Sequence, residues 1–226
     1  MIKNFESTSE LNKFLSNKII KYIGGRAEGK CYLGKDNLIY KTMGIEGLRK
    51  SEYDFEKIIT KDKSNNNSFA FPIDLYLINK ELTAYSMNYV GKDLFSSYNT
   101  SSPMLIAKLD FKKFTKAYKV MLNDIIKLSK EKIELVDLPL NIIYDGDKLT
   151  GIDTLDYHKV DYDPIDKNLE SYYTAIEDIF RLCYNEYMDS NLDFDGKNIN
   201  DYLKKVENRL PTKYKEYRKQ LKRKRK

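Results

Sequence analysis

Three side chains with hard oxygen atoms stand in the stretch DLPLNIIYDGDKLTGID, residues 137–153: Asp137, Asn141 and Asp153. Apolar runs and an Asp145-Gly146 turn signal separate them. Oxygen donors of this kind suit Mg²⁺, which takes one or two carboxylates and completes its shell with phosphate and water oxygens. The stretch therefore has two readings. Its polar residues are solvated turn residues, or they hold magnesium and a phosphate donor.

Composition narrows the chemistry. His158 is the only histidine, which excludes a multi-histidine zinc site. Cys31 and Cys183 are far apart in sequence and make no metal spacing, as expected of a reduced cytosol. Chemistry is left to carboxylates, lysines, hydroxyls or a bound ion. The chain of 226 residues is long enough for one domain or two small lobes, and its 41% hydrophobic and 33% charged residues are ordinary for a globular protein. The start, MIKNFESTSELNKF, lacks the apolar core of a signal peptide, and no run has the length of a membrane helix. A cytoplasmic protein with no transmembrane segment is the expectation.

The elements that must position these residues change character along the chain. Residues 20–41 read as two short strands around a Gly-rich turn, then an Asp-Asn turn and a third strand. Residues 46–60 read as a helix with Leu48, Phe55 and Ile59 on one side. FPIDLYLINKELTAYSMNYV reads as a hairpin with an Asn-Lys turn. After Gly91 the apolar period lengthens. Phe111, Phe114, Tyr118, Met121, Ile125 and Ser129 recur at three- and four-residue steps, as do Leu169, Tyr172, Ile176, Phe180, Cys183 and Tyr187, predicting two amphipathic helices. NIIYDGDKLTGID reads as a hairpin that brings Asn141 and Asp153 near each other.

Within the first part, Gly24, Gly25 and Gly29 lie between two strand-like runs. Glycines let backbone N–H groups approach phosphate oxygens. No helix start follows, so neither a dinucleotide fingerprint nor a Walker loop fits, and a plain glycine hairpin turn is the alternative. Lys41 ends the next strand-like run, NLIYK, where a lysine points to solvent or pairs with phosphates. In the second case it needs an acid to fix it, and the following helix offers Glu52 and Glu56.

This order of parts, over residues 20–190, resembles the protein-kinase-like superfamily, in the small, divergent form of bacterial or phage Ser/Thr kinase-like proteins. The resemblance implies an α+β, two-lobed fold. Its N-lobe, residues 1–90, would be small and antiparallel, and its C-lobe, residues 91–210, reduced and mostly helical, followed by a basic tail over 211–226. IGGRAEGKCY would be the Gly-rich loop, with Arg26 where a glycine usually stands. Lys41 would be the strand lysine and Glu52 or Glu56 its helix partner. Met87 would be the gatekeeper, and Asn88 and Val90 would meet the adenine edge of ATP. LVDLPLN would be the catalytic loop, with Asp137 orienting the acceptor hydroxyl and taking its proton. Asn141 and Asp153 would hold Mg²⁺. Phosphoryl transfer needs positioning and charge neutralisation more than covalent help.

The sequence departs from the pattern in places. Leu135-Val136 replace the family's His-Arg, three residues instead of four separate Asp137 from Asn141, and Thr154-Leu155 replace Phe-Gly. The segment after Asp153 is short and no Ala-Pro-Glu follows. A catalytically dead nucleotide-binding or interaction module, and a small-molecule kinase of the aminoglycoside-phosphotransferase type, are the alternatives to a kinase acting on a protein. The tail, PTKYKEYRKQLKRKRK, interleaves Lys and Arg with Tyr214 and Tyr217 and holds much of the net charge of +6. It reads as a solvated, mobile run, with nucleic acid or anionic lipid as the alternative partner.

Overall fold

The computed structural model describes residues 1–26, 29–44, 57–64, 66–91, 95–96, 103–184 and 192–224. The chain forms two units, Met1–Tyr89 with Asp153–His158, and Val90–Ile152 with Lys159–Lys226. The architecture is α+β. The first unit takes in Asp153–His158 from within the range that the sequence assigns to the second lobe.

The first unit is built on six strands: β1 (Ile2–Phe5), β2 (Ile19–Arg26), β3 (Gly29–Gly34), β4 (Leu38–Met43), β5 (Pro72–Ile78) and β6 (Glu81–Asn88). Their order is β1-β5-β6-β4-β3-β2, with β1 parallel to β5 and the other pairs antiparallel. The expected turns close its hairpins. Asn79 and Lys80 both have positive φ, 52° and 67°, as a two-residue hairpin loop matching the strand twist requires. Asn37, at φ 61°, turns β3 into β4; asparagine tolerates this conformation better than most residues.

β1 and the helix after it, α1 (Thr8–Lys18), were not expected from the sequence. Their signal was a cap. Ser7 Oγ accepts from Glu10 N at 3.2 Å, and Glu10 reaches back to Glu6 N at 2.8 Å. The helix buries Leu11 and Leu15, one turn apart, against Tyr40, Tyr76 and Ala84. Most of the expected helix over 46–60, including Glu52 and Glu56, lies outside the described residues; within it, Lys57–Thr60 form a turn and an extended stretch, with Ile58 and Ile59 buried.

The second unit is mostly helical: α2 (Pro103–Lys108), α3 (Phe111–Lys130), α4 (Ile165–Tyr184), α5 (Ile199–Asn208) and α6 (Thr212–Lys224). Asp110 caps α3, accepting from Lys112 N and Lys113 N at 3.0 and 3.3 Å. Of the stripe the sequence predicts, Phe114, Tyr118, Met121, Ile125 and Ser129 are buried in α3 and Phe111, at its start, is half-buried. It meets α4 through aromatic rings: Tyr118 stacks on Tyr172 at 5.2 Å and Phe114 meets Phe180 edge-on at 5.3 Å. The strands β7 (Phe95–Ser96), β9 (Ile142–Tyr144) and β10 (Leu149–Gly151) make a small sheet, and β8 (Ile133–Glu134) and β11 (His158–Lys159) are two-residue strands. β9 and β10 are the expected hairpin. Its turn uses Gly146 at φ 108° and the Asp145 carboxylate, which accepts from Asp147 N and Lys148 N at 2.9 and 2.8 Å.

The basic tail is ordered differently from the expectation. Residues 212–224 form α6, and Arg218, at its middle, is only 3% exposed. Its guanidinium donates to the carbonyls of Ile106, Ala107 and Leu109, at and just beyond the C-terminal end of α2, where the last carbonyls of a helix run out of helical N–H partners; Ile106 O also takes the 3.2 Å bond from Leu109 N. It also lies 3.7 Å from the centre of the Phe111 ring.

Asn168, fully buried in the first turn of α4, pins the strand that leads to Asp137. Its Oδ1 accepts from Leu135 N at 2.9 Å, and its Nδ2 donates to Ser129 Oγ and Ile133 O, both at 2.9 Å. A buried polar group left without its partner costs about 1–3 kcal/mol. Asn168→Leu should therefore lower the unfolding free energy by about 2–4 kcal/mol in urea denaturation; a loss below about 1 kcal/mol would show the network to be slack.

Asp74 on β5 is ion-paired with Lys3 on β1. Burial pushes its carboxyl up, but the hydrogen bonds and charges of Lys3 and of the Met1 amine, 3.3 Å from its other oxygen, together outweigh this and hold it below its ordinary value. The stability this gives is present above the unfolded pKa of about 3.9 and is lost as pH falls toward the folded value. Asp74→Asn should flatten the dependence of stability on pH below about pH 4, measured by chemical denaturation across that range.

Candidate functional site

In the first unit a row of three side chains crosses the sheet. The antiparallel register places Cys31 of β3 opposite Lys41 of β4, and Lys41 opposite Tyr85 of β6. Directly paired residues share a face. Lys41 Nζ is ion-paired with Asp153 Oδ1, and Tyr85 donates its hydroxyl to the same oxygen at 3.3 Å. The ammonium also lies 5.9 Å from the centre of the Tyr85 ring. The Lys41 side chain is 13% exposed and that of Asp153 33%. The lysine has left most of its water and needs the carboxylate, whereas the carboxylate keeps a side open to solvent.

Electrostatics fix the state of the neighbours. Burial, then the Asp153 charge, holds the Tyr85 hydroxyl well above its ordinary range, so it stays protonated and donates. Burial also pushes the Cys31 thiol up; Lys41 pulls it back and Asp153 adds to the rise.

The glycines are explained in part by close strand approach. A Cβ on Gly25, at φ 146°, would stand 2.3 Å from Gly29 O. One on Gly29 would stand 2.4 Å from Thr42 O and 3.4 Å from Lys41 Cε. The β2–β3 hairpin is therefore pressed against β4 beside Lys41, and only glycine fits there. Gly24, at φ 156°, has open space around it. Met87 is buried near the end of β6 and Asn88 is exposed at its last position. Val90 is half-buried and begins the second unit.

In the second unit the segment from Asp137 to Asn141 closes as a single turn. Leu138–Leu140 form a short 3-10 helix with Pro139 inside it. Asn141 N donates to Leu138 O at 3.0 Å and Asn141 Nδ2 to Asp137 O at 2.9 Å. The three-residue loop between Asp137 and Asn141 is thus tied shut by the asparagine itself. Asn141 O then accepts from Ile152 N at 2.8 Å, closing the β9–β10 hairpin one residue before Asp153.

Asp137 and Asp153 share a backbone peculiarity. Both are left-handed, at φ 54° and 56°. A non-glycine residue held there costs on the order of 1 kcal/mol or more, and such residues gather at functional sites. Asn37, Asn79, Lys80 and Lys132 are the other described non-glycine residues with positive φ. The structure brings Lys41 and Asp153 together in one unit, and Asp137 and Asn141 in the other. Glu52 and Glu56 lie outside the described residues, where the partner that Lys41 shows is Asp153. The sequence assigns no role to Cys31 and Tyr85, because only the pairing of β4 with β3 and β6 sets them beside Lys41.

Among the described residues, no three or more His, Cys, Asp or Glu side chains gather as a metal-holding group. No described helix is long and apolar enough to cross a membrane. No protein-family model matches the chain, and no curated protein does. Among solved structures it is similar to the Mycobacterium tuberculosis PknI kinase domain, solved as a cysteine-to-alanine mutant, with a TM-score of 0.47 and 12% identity over 73% of this chain and 72% of that one. At that distance the likeness places no residue and assigns no activity.

The Cys31 thiol reports on the ion pair. In a Cys183→Ser background, Lys41→Met should slow iodoacetamide alkylation of Cys31 several-fold at a fixed mildly alkaline pH, because the charge that favours thiolate is gone. Asp153→Asn should speed it. Equal rates in all three proteins would show that the pair does not act on Cys31.

Proposed function

We propose that the chain is an ATP- and magnesium-dependent phosphotransferase of kinase-like fold whose acceptor is a protein hydroxyl. The observation that carries this reading is the Lys41–Asp153 pair, set beside a glycine hairpin with Asp153 in a left-handed conformation and partly open to solvent. The residues fit the groups they would hold. Lys41 offers a cation to phosphate oxygens without leaving Asp153, and a half-open carboxylate is the donor that Mg²⁺ takes in its first shell. With few protein oxygens offered, the ion would complete its shell with phosphate and water. When bound, it would supply neutralisation of the phosphate charge.

The remaining roles fall to the chain's own side chains. Lys41 would fix the phosphates, Asp153 and Asn141 would offer oxygens to the ion, and exposed Asp137 would orient the acceptor hydroxyl and take its proton. Gly24, Gly25 and Gly29 admit phosphates to the backbone. Met87, Asn88 and Val90 border the adenine. The tight turn over Leu138–Leu140 favours a second reading, a nucleotide-binding module that has lost transfer.

ATP with Mg²⁺ should raise the melting temperature, since a ligand at a hundredfold excess over its Kd adds about 2.7 kcal/mol of stability. Transfer of γ-phosphate to the chain itself or to a generic protein substrate should vanish in Asp137→Ala while the thermal shift survives. Asp153→Asn should weaken Mg²⁺-dependent nucleotide binding more than Asp137→Asn does. A thermal shift with no labelling of any acceptor would favour the binding module, and no shift at millimolar MgATP would remove the nucleotide reading.

A further inference from the structure

The formal charge of the chain is concentrated in one helix. Thr212–Lys224 holds seven Lys or Arg and one Glu, so α6 alone carries as much net charge, +6, as the whole protein. Two of the seven are engaged: Arg218 and Lys222 both meet Glu207, at 3.1 and 2.6 Å. The other five, Lys213, Lys215, Lys219, Arg223 and Lys224, show no ion pair with any described residue. Four of these five are exposed and Lys215 is half-buried.

The helix does not need a partner to order it. Arg218 at its centre is locked onto the carbonyls of Ile106, Ala107 and Leu109. Leu221, one turn on, lines a pocket of about 400 Å³ with Ala107, Leu109 and Phe111. The apolar stripe of α6 is thus turned toward its own unit. Lys215, Lys219 and Arg223 follow one another at i, i+4 and i+8, a row that advances about 6 Å per step along the helix. That step is close to the axial rise of two nucleotides in one strand of a duplex, about 6.8 Å. A helix that lies in a membrane interface must instead have an apolar face to bury in lipid, and here Tyr214, Tyr217 and Leu221 are already partly covered.

We propose that the outer face of α6 docks on the phosphate backbone of a nucleic-acid duplex, through Lys215, Lys219 and Arg223 with Lys213 and Lys224 beside them. The contact is electrostatic and sequence-independent, and it is separate from any phosphoryl transfer. With up to five phosphates neutralised, the slope of log affinity against log salt is about −4.5, a fall of roughly 10²–10³ between about 50 and 200 mM salt.

The probe is a fluorescent duplex DNA of about 20 base pairs, about two helical turns, titrated with the full chain by anisotropy over a range of salt, beside sedimentation with vesicles of phosphatidylcholine and phosphatidylserine. Wild type should bind the duplex with the steep slope. Lys215→Gln/Lys219→Gln/Arg223→Gln, with an unchanged melting temperature, should bind more weakly with a slope lower by about three. Lys215→Arg/Lys219→Arg, which keeps the charge, should bind as wild type. The proposal is overturned if the wild type does not bind the duplex, if the triple variant binds as tightly as wild type, or if the vesicles are bound and the duplex is not.

Discussion

The ion pair between Lys41 and Asp153 ties a segment from late in the chain to the first unit. The two residues are 112 positions apart, and the chain on either side of Asp153–His158 belongs to the second unit. This six-residue segment is claimed by the first unit through a short series of contacts. Asp153 takes Lys41 and Tyr85, Thr154 Oγ1 donates to Ala70 O at 3.2 Å, and Tyr157 packs edge-on against Phe69 and Phe71. The charged pair sits at one end of the segment and the aromatic cluster near the other. Burying a lysine head without a counter-charge costs several kcal/mol, so the carboxylate cannot leave without cost. The left-handed backbone at Asp153 is held in place by these contacts rather than by local preference.

The same economy of pairing recurs where a backbone end or a charge would otherwise stand alone. Asn168 closes the backbone ahead of Asp137, Asn141 closes the turn after it, and Arg218 closes the end of α2. In each case one planar side chain with several donors or acceptors satisfies groups that secondary structure leaves open. By contrast the Asp137 side chain is exposed and that of Asp153 stays partly open to solvent although its Oδ1 is held by Lys41 and Tyr85.

Local signals made much of this fold legible. The Asn79-Lys80 and Asp145-Gly146 turns, the β-rich composition of β5 and β6, and the three-to-four spacing in α3 and α4 are written in neighbouring residues and appear where the sequence puts them. The identities of Lys41, Asp137, Asn141 and Asp153 stand out by chemical type. What could not be read were choices made at long range. The register that sets Cys31 and Tyr85 beside Lys41 depends on which strands neighbour β4, and the counter-ion of Lys41 lies beyond the range of any local pattern. Helix α6 was obscured for a different reason. Its inward stripe of half-buried Tyr214 and Leu221 has the buried cation of Arg218 at its centre, and hydropathy counts an arginine as surface even when three carbonyls receive it.

The claim of the first unit on Asp153–His158 also sets an order of events during synthesis. Residues 1–89 can leave the ribosome and form their sheet, but Lys41 then waits for its carboxylate until roughly sixty more residues have been added. At about 5–20 residues per second that interval is about 3–13 s. Throughout it the nascent sheet carries a cation without its counter-ion and lacks Tyr157 against Phe69 and Phe71. The first unit is therefore first to begin and among the last to finish, and a chaperone that recognises exposed aromatic surface would meet it in that window.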